Sequence, residues 1–178
     1  AAPVELELEG PADTVKVVKT ILNPVGKMDG YSLPVSAFAD LADGQFPLGA
    51  SAYEKRGVAV TVPHWDETKC IQCNNCAYVC PHATIRPFAL TEAEAAAAPA
   101  DAKIVDFKPA LGGLKFMMTV STLDCTGCGV CANVCPSKEK ALVMKPIASQ
   151  MPQQKVFDYG VTIDEKAEVA AKFAPTTV

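Results

Sequence analysis

Cys70-Ile-Gln-Cys73-Asn-Asn-Cys76-Ala-Tyr-Val-Cys80-Pro81 is answered further along the chain by Cys125-Thr-Gly-Cys128-Gly-Val-Cys131-Ala-Asn-Val-Cys135-Pro136. Between them the two stretches use all 8 cysteines. Both read C-x2-C-x2-C-x3-C-P, the spacing with which bacterial chains hold two iron-sulfur cubes. Three thiolates on one tight loop grip one cube, and the fourth, just before the proline, reaches the other. The spacing therefore predicts crossed ligand sets: Cys70, Cys73, Cys76 and Cys135 around one 4Fe-4S cluster, and Cys125, Cys128, Cys131 and Cys80 around the second. Electron transfer is the function class that follows.

Three plainer readings compete and fit less well. Disulfides need an oxidising compartment and a small cysteine-dense chain, whereas 8 cysteines among 178 residues is sparse. Structural zinc needs ligands from two sides of one ion, so its knuckles stand apart, while here three ligands crowd into seven residues. Buried, unligated cysteine gives no reason for four offsets to recur. The residues between the ligands agree with a cube, because backbone N–H groups must approach its sulfides closely. Asn74, Asn75 and Ala77 fill the first loop, and Thr126, Gly127, Gly129 and Ala132 the second. Each Cys-Pro pair is expected to end a short helix. Ile71, Tyr78, Val79, Ile85, Val130, Val134 and Leu142 are expected to wall the clusters from water.

Composition bounds the remainder. At 49% hydrophobic the chain can build a core, and no apolar run approaches membrane-spanning length. A formal charge of −4 argues against nucleic acid, which needs a basic face, and allows docking to a redox partner. Two loaded cubes, each −2 with its thiolates, would make the chain more acidic still. The start shows no charged segment followed by an apolar run, so a cytoplasmic location is expected.

Along the chain, Val15, Val18 and Leu22 predict a helix over 13–22, capped by Asp13 and stopped at Asn23-Pro24. Residues 26–57 carry no clear period and suggest an ordered linker. Strands are predicted at 58–62, around Thr84 and Ile85, at 116–120 and at 141–145, with a cysteine loop and helical turn in each half. That order, βαββαβ, places the chain in the α+β class as a ferredoxin-like repeat. About 45 residues separate Cys80 from Cys125, far more than a hairpin needs. The insertion, about 86–115, holds a helix with a capping-box start at Thr91 and a candidate strand at 104–107. It is either a solvated elaboration or a docking surface. After Pro146 an extended tail is expected, with weak helical spacing from Asp164 to Phe173.

Leu33-Pro-Val-Ser-Ala-Phe, Phe46-Pro-Leu-Gly, Tyr53-Glu-Lys-Arg-Gly, Val62-Pro-His-Trp, Cys70-Ile-Gln-Cys-Asn-Asn-Cys, Cys80-Pro-His-Ala-Thr-Ile-Arg-Pro and Lys138-Glu-Lys-Ala-Leu-Val-Met-Lys-Pro together resemble pyruvate:ferredoxin oxidoreductase. The resemblance covers most of residues 20–146. It implies the end of a preceding domain at 1–25, a Glu-Lys-Arg linker domain at 26–57, a two-cluster ferredoxin domain at 58–146, and a lead toward a thiamine-binding domain at 147–178. A start at Ala1 without methionine fits an internal fragment of that enzyme.

The resemblance further implies a division of labour. The family oxidises pyruvate with coenzyme A to acetyl-CoA and carbon dioxide, using thiamine diphosphate, Mg2+ and a third 4Fe-4S cluster. Electrons then pass through the two clusters of this domain to external ferredoxin or flavodoxin. No Gly-Asp-Gly thiamine signature, no further cysteine, no Gly-x-Gly-x-x-Gly and no P-loop occurs here. Partners would be the other domains of the parent enzyme and the external carrier, and the chain alone would not be catalytic. A free-standing two-cluster carrier is the alternative, and a structural metal module a distant third. His64, Trp65 and His82 are read as ordinary packing or surface residues, and Glu54, Lys55 and Arg56 as a solvated run.

Overall fold

A computed structural model describes residues 8–108 and 113–171, and the chain divides into two compact units between Gly57 and Val58. In the first unit, α1 (Ala12–Val17) runs through a π turn (Val18–Leu22) into α2 (Asn23–Gly26). The predicted helix is therefore longer than expected and does not stop at Pro24. Pro24 follows the π turn directly, and the helix passes it with one internal N–H donor missing. Asp13 lies inside α1, its Oδ1 accepting from Thr14 N–H at 2.8 Å, and no side chain caps the helix. Thr14, Val17, Val18 and Ile21 are buried. The stretch without period holds only 3-10 turns, at Gly30–Ser32, Val35–Leu41 and Ala50–Tyr53. Glu54 and Arg56 pair locally at 3.2 Å on an exposed surface.

The second unit opens with β1 (Thr61–Trp65), three residues later than predicted. Val58 and Val60, which drew the expectation, are 61% and 83% exposed. Pro63, one residue beyond the predicted strand, is tolerated inside β1 because β1 belongs to a two-stranded sheet and has an open side. The first cysteine loop leads into α3 (Asn75–Tyr78), and β2 (Ile85–Leu90) follows. The insertion contributes α4 (Glu92–Ala97) and β3 (Ile104–Asp106), with residues 109–112 outside the described part. Its capping box is formed: Thr91 N–H donates to Glu94 Oε2 at 2.7 Å, and Glu94 N–H donates to Thr91 Oγ1 at 3.3 Å. β4 (Lys115–Val120), α5 (Val130–Asn133) and β5 (Leu142–Pro146) complete the second half.

β1 pairs antiparallel with β5, Trp65 opposite Leu142, and the other sheet has the order β2-β4-β3. The architecture is mixed helix and sheet, α+β. Its main core gathers Trp65, Ile85, Phe116, Met118, Val120 and Leu142 around Cys76 and Cys131. Trp65 and Phe107 both meet Phe116 edge-on, with centroids 5.8 and 5.2 Å apart.

The expected extended tail is corrected by α6 (Pro152–Gly160), whose proline sits in the first turn. Gln153, Gln154 and Lys155 are good helix formers that the Pro- and Gln-rich appearance concealed. α6 packs on β4 and buries Val156 and Phe157. Beyond it lies α7 (Ala167–Ala170), while Phe173, which closed the predicted spacing, falls outside the described residues. Gln154, 7% exposed, accepts from Ser121 Oγ at 3.2 Å, Thr122 Oγ1 at 3.3 Å and Leu123 N–H at 3.1 Å. Three donors leading into the second cysteine loop thus converge on one oxygen. Gln154→Ala leaves Thr122 Oγ1 and Leu123 N–H without this acceptor in the interior, while Ser121 Oγ keeps Asp124 Oδ2 at 2.6 Å, and is expected to destabilise the second unit by about 2 kcal/mol, read as a lower urea midpoint with unchanged slope.

Candidate metal centre

The two cysteine loops share a backbone conformation that their side chains do not disclose. Gln72 and Asn74 have φ of 58° and 59°, and the residues at the same offsets in the second loop, Gly127 and Gly129, have 72° and 74°. Alternation of left- and right-handed residues turns successive N–H groups toward one concave side, a geometry that binds anions. Gln72 N–H and Gly127 N–H accordingly donate to Cys70 Sγ and Cys125 Sγ, each at 3.4 Å. Gly127 is further required by space, since a Cβ there would stand 2.8 Å from the Thr61 carbonyl oxygen. No such obstacle faces Gly129.

Two open-sided cavities lie against these loops. One is bordered by Cys70, Cys73, Cys76 and Cys135, together with Trp65 and Leu142. The other is bordered by Cys80, Cys125, Cys128 and Cys131, together with Ile85 and Met144. Each cavity therefore draws three cysteines from one repeat and one from the other. Although four cysteines face each space, no three His, Cys, Asp or Glu side chains among the described residues converge to hold one ion. A single tetrahedral zinc would bring its sulfurs to about 3.8 Å from one another. Four thiols around each open-sided cavity suit a polyatomic group whose several irons each take one thiolate. Trp65, 3% exposed, has an indole N–H with no partner, a donor that a sulfur-rich group could accept from.

The thiols differ in environment. Burial, reinforced by neighbouring thiols, pushes Cys76 up to about 12 and Cys131 up to about 11, and burial also raises Cys125. Metal binding at these positions must release protons. Cys80 is the exception. Burial raises it, yet the Thr84 hydroxyl and N–H, both 3.4 Å from its sulfur, together with the backbone of His82 and Ile85, outweigh that and hold it below the ordinary thiol range. Thr84 is a site residue that the sequence reading passed over as the start of a strand. The expected apolar wall is only partly present: Ile85 and Leu142 are buried, whereas Ile71, Tyr78 and Val130 are 45%, 80% and 41% exposed. Ile71 and Val130 nonetheless border the first and second cavities, whereas Tyr78 ends the single turn of α3 and is turned to the outside. His82 is exposed beside the second cavity, and His64 Nδ1 is 2.8 Å from Gln150 Oε1.

Residues 69–139 match the family described as 4Fe-4S dicluster domain, and residues 4–59 match EKR, a domain of unknown function. The chain is 45% identical over 172 residues to the pyruvate-flavodoxin oxidoreductase of Enterobacter agglomerans, a match covering 96% of this chain and 14% of that protein. It is 45% identical over 165 residues to the pyruvate:ferredoxin oxidoreductase of Moorella thermoacetica, covering 90% and 14%. It is also 44% identical over 172 residues to a pyruvate dehydrogenase [NADP(+)] of Cryptosporidium parvum, covering 93% and 8%. The chain thus spans about one-seventh of the length of the first two relatives. Within the dicluster domain, Gly127→Ala is expected to cost roughly 2 kcal/mol more than Gly129→Ala. Both incur left-handed strain and only the first adds a clash with backbone, so denaturant midpoints of the loaded variants should separate in that order.

Proposed function

Because the chain belongs to the pyruvate-flavodoxin and pyruvate:ferredoxin oxidoreductase family, we propose that it is the segment through which such an enzyme passes electrons outward. Its dicluster domain holds two 4Fe-4S clusters, each of which supplies a one-electron store when bound. The ligand sets we assign are crossed: Cys70, Cys73, Cys76 and Cys135 for one, Cys125, Cys128, Cys131 and Cys80 for the other. Support comes from a single observation, that each cavity is bordered by four cysteines divided three and one between the repeats. The strand-helix-strand order of each half and the β1–β5 pairing support a ferredoxin-like βαββαβ topology interrupted by the insertion.

The parent reaction in this proposal converts pyruvate and coenzyme A to acetyl-CoA and carbon dioxide. It releases two electrons that ferredoxin or flavodoxin accepts, with thiamine diphosphate, Mg2+ and a third cluster held elsewhere in the enzyme. Residues 1–25, 26–57, 58–146 and 147–178 are assigned as end of a preceding domain, linker domain, cluster domain and lead-out. Met28, Tyr31, Val35 and Leu48 of the first unit are 90% or more exposed, apolar surface that other domains of the parent would cover. Among the described residues no helix is long and apolar enough to cross a membrane, and we assign the parent to the cytoplasm.

Anaerobically reconstituted chain should contain about eight irons and eight acid-labile sulfides, and zinc without sulfide would end the proposal. Cys80→Ser should disturb the cluster in the Cys125 loop and spare the one in its own, with Cys135→Ser doing the reverse. Damage confined to each variant's own loop would rule out crossing. The loaded chain should pass electrons from a strong reductant to ferredoxin or flavodoxin without oxidising pyruvate. Pyruvate-dependent dye reduction by this chain alone would overturn the division of labour.

A further inference from the structure

The insertion's strand β3 is the outer strand of its sheet, and such a strand ordinarily leaves a row of N–H and C=O groups unpaired. Phe107 N–H donates to Leu114 O at 3.1 Å on the sheet side. Alternation along the strand therefore turns the Asp106 carbonyl and Lys108 N–H the other way. One side chain from the first cysteine loop satisfies both. Gln72 Nε2 donates to Asp106 O at 2.9 Å, and Lys108 N–H donates to Gln72 Oε1 at 2.9 Å. The primary amide stands where the peptide group of a further strand would stand.

Gln72 occupies this place against a conformational penalty. Its φ of 58° carries a left-handed strain that glycine avoids, and the matching position of the other loop is Gly127. That loop is backed directly by the Thr61 carbonyl, which leaves no room for a side chain. The first loop reaches across to β3 through the Gln72 amide, while the backbone N–H of the same residue is directed at Cys70 Sγ. We propose that Gln72 is a positioning residue: it fastens the Cys70–Cys76 loop to the free edge of β3 and thereby sets the retention and reduction potential of the cluster in that loop. The inserted segment is then a brace for one of two otherwise similar centres. The inference rests on the two-cluster reading above.

The test uses the full chain reconstituted anaerobically with iron and sulfide. Gln72→Gly keeps the loop conformation and deletes the amide; Lys108→Pro removes the donor at the other end without touching the loop. Each should release the first loop's cluster to a chelator roughly tenfold faster or more, and shift its potential. The second cluster should keep its rate and potential. In Gln72→Gly, hydrogen exchange at the Lys108 amide should rise. Since both changes break one link, the double variant should be no worse than the more affected single variant. Wild-type retention and potential in Gln72→Gly would overturn the brace, as would equal effects on both clusters or fully additive effects of the two changes. A wild-type chain that binds no iron and sulfide would overturn the two-cluster reading and the brace together.

Discussion

Pairing of β1 with β5 is the contact on which the second unit depends. β1 leads into the first cysteine loop and β5 follows the second, so their ladder closes the chain upon itself and sets Trp65 opposite Leu142. Both residues border the cavity to which the first repeat supplies three cysteines and the second supplies Cys135. The β2–β4 ladder does the corresponding work around Ile85, which borders the other cavity beside Cys80 and the second repeat. Neither half could assemble either set of four alone. The long-range ladders thus bring the cysteines of both repeats around each cavity, and Cys76 and Cys131 lie in the core of the unit among its buried apolar side chains.

Inside that frame, the two loops reach one backbone geometry by different chemistry. The second relies on glycine and close packing against the Thr61 carbonyl. The first carries Gln72 and Asn74 in the left-handed region and draws support from the insertion. Gln154 of α6 performs a related task on the approach to the second loop, collecting Ser121, Thr122 and Leu123. The two departures from a minimal repeat, the insertion and the terminal helix, are each tied near one loop by a glutamine amide, Gln72 of the first loop reaching to β3 and Gln154 of α6 reaching to the approach to the second.

Much of this was legible in the residues themselves. The cysteine offsets pointed to the site because inorganic cores impose a fixed spacing, and Thr91 with Glu94 announced α4 because a capping box is a local interaction. Features set by distant partners were not legible. Pro63 reads as lying beyond the strand until the open side of β1 is known, and Pro152 as an irregular tail until it is placed in the first turn of α6. Thr84 looked like the beginning of a strand, and its bonds to Cys80 depend on a turn that no pattern of hydrophobicity records. The exposure of Tyr78 likewise depends on which side of a one-turn helix faces the core.

Pro63, Pro87 and Pro146 all lie in strands that have a neighbour on one side only. A proline in such a strand interrupts the run of donors that a second molecule would need to add itself to the sheet. During synthesis, before iron and sulfide are supplied, a chain whose interior is organised around its cysteines would otherwise present these strands as templates for self-association. The prolines make the waiting polypeptide a poor template, and so help keep newly made molecules apart until their inorganic centres are built.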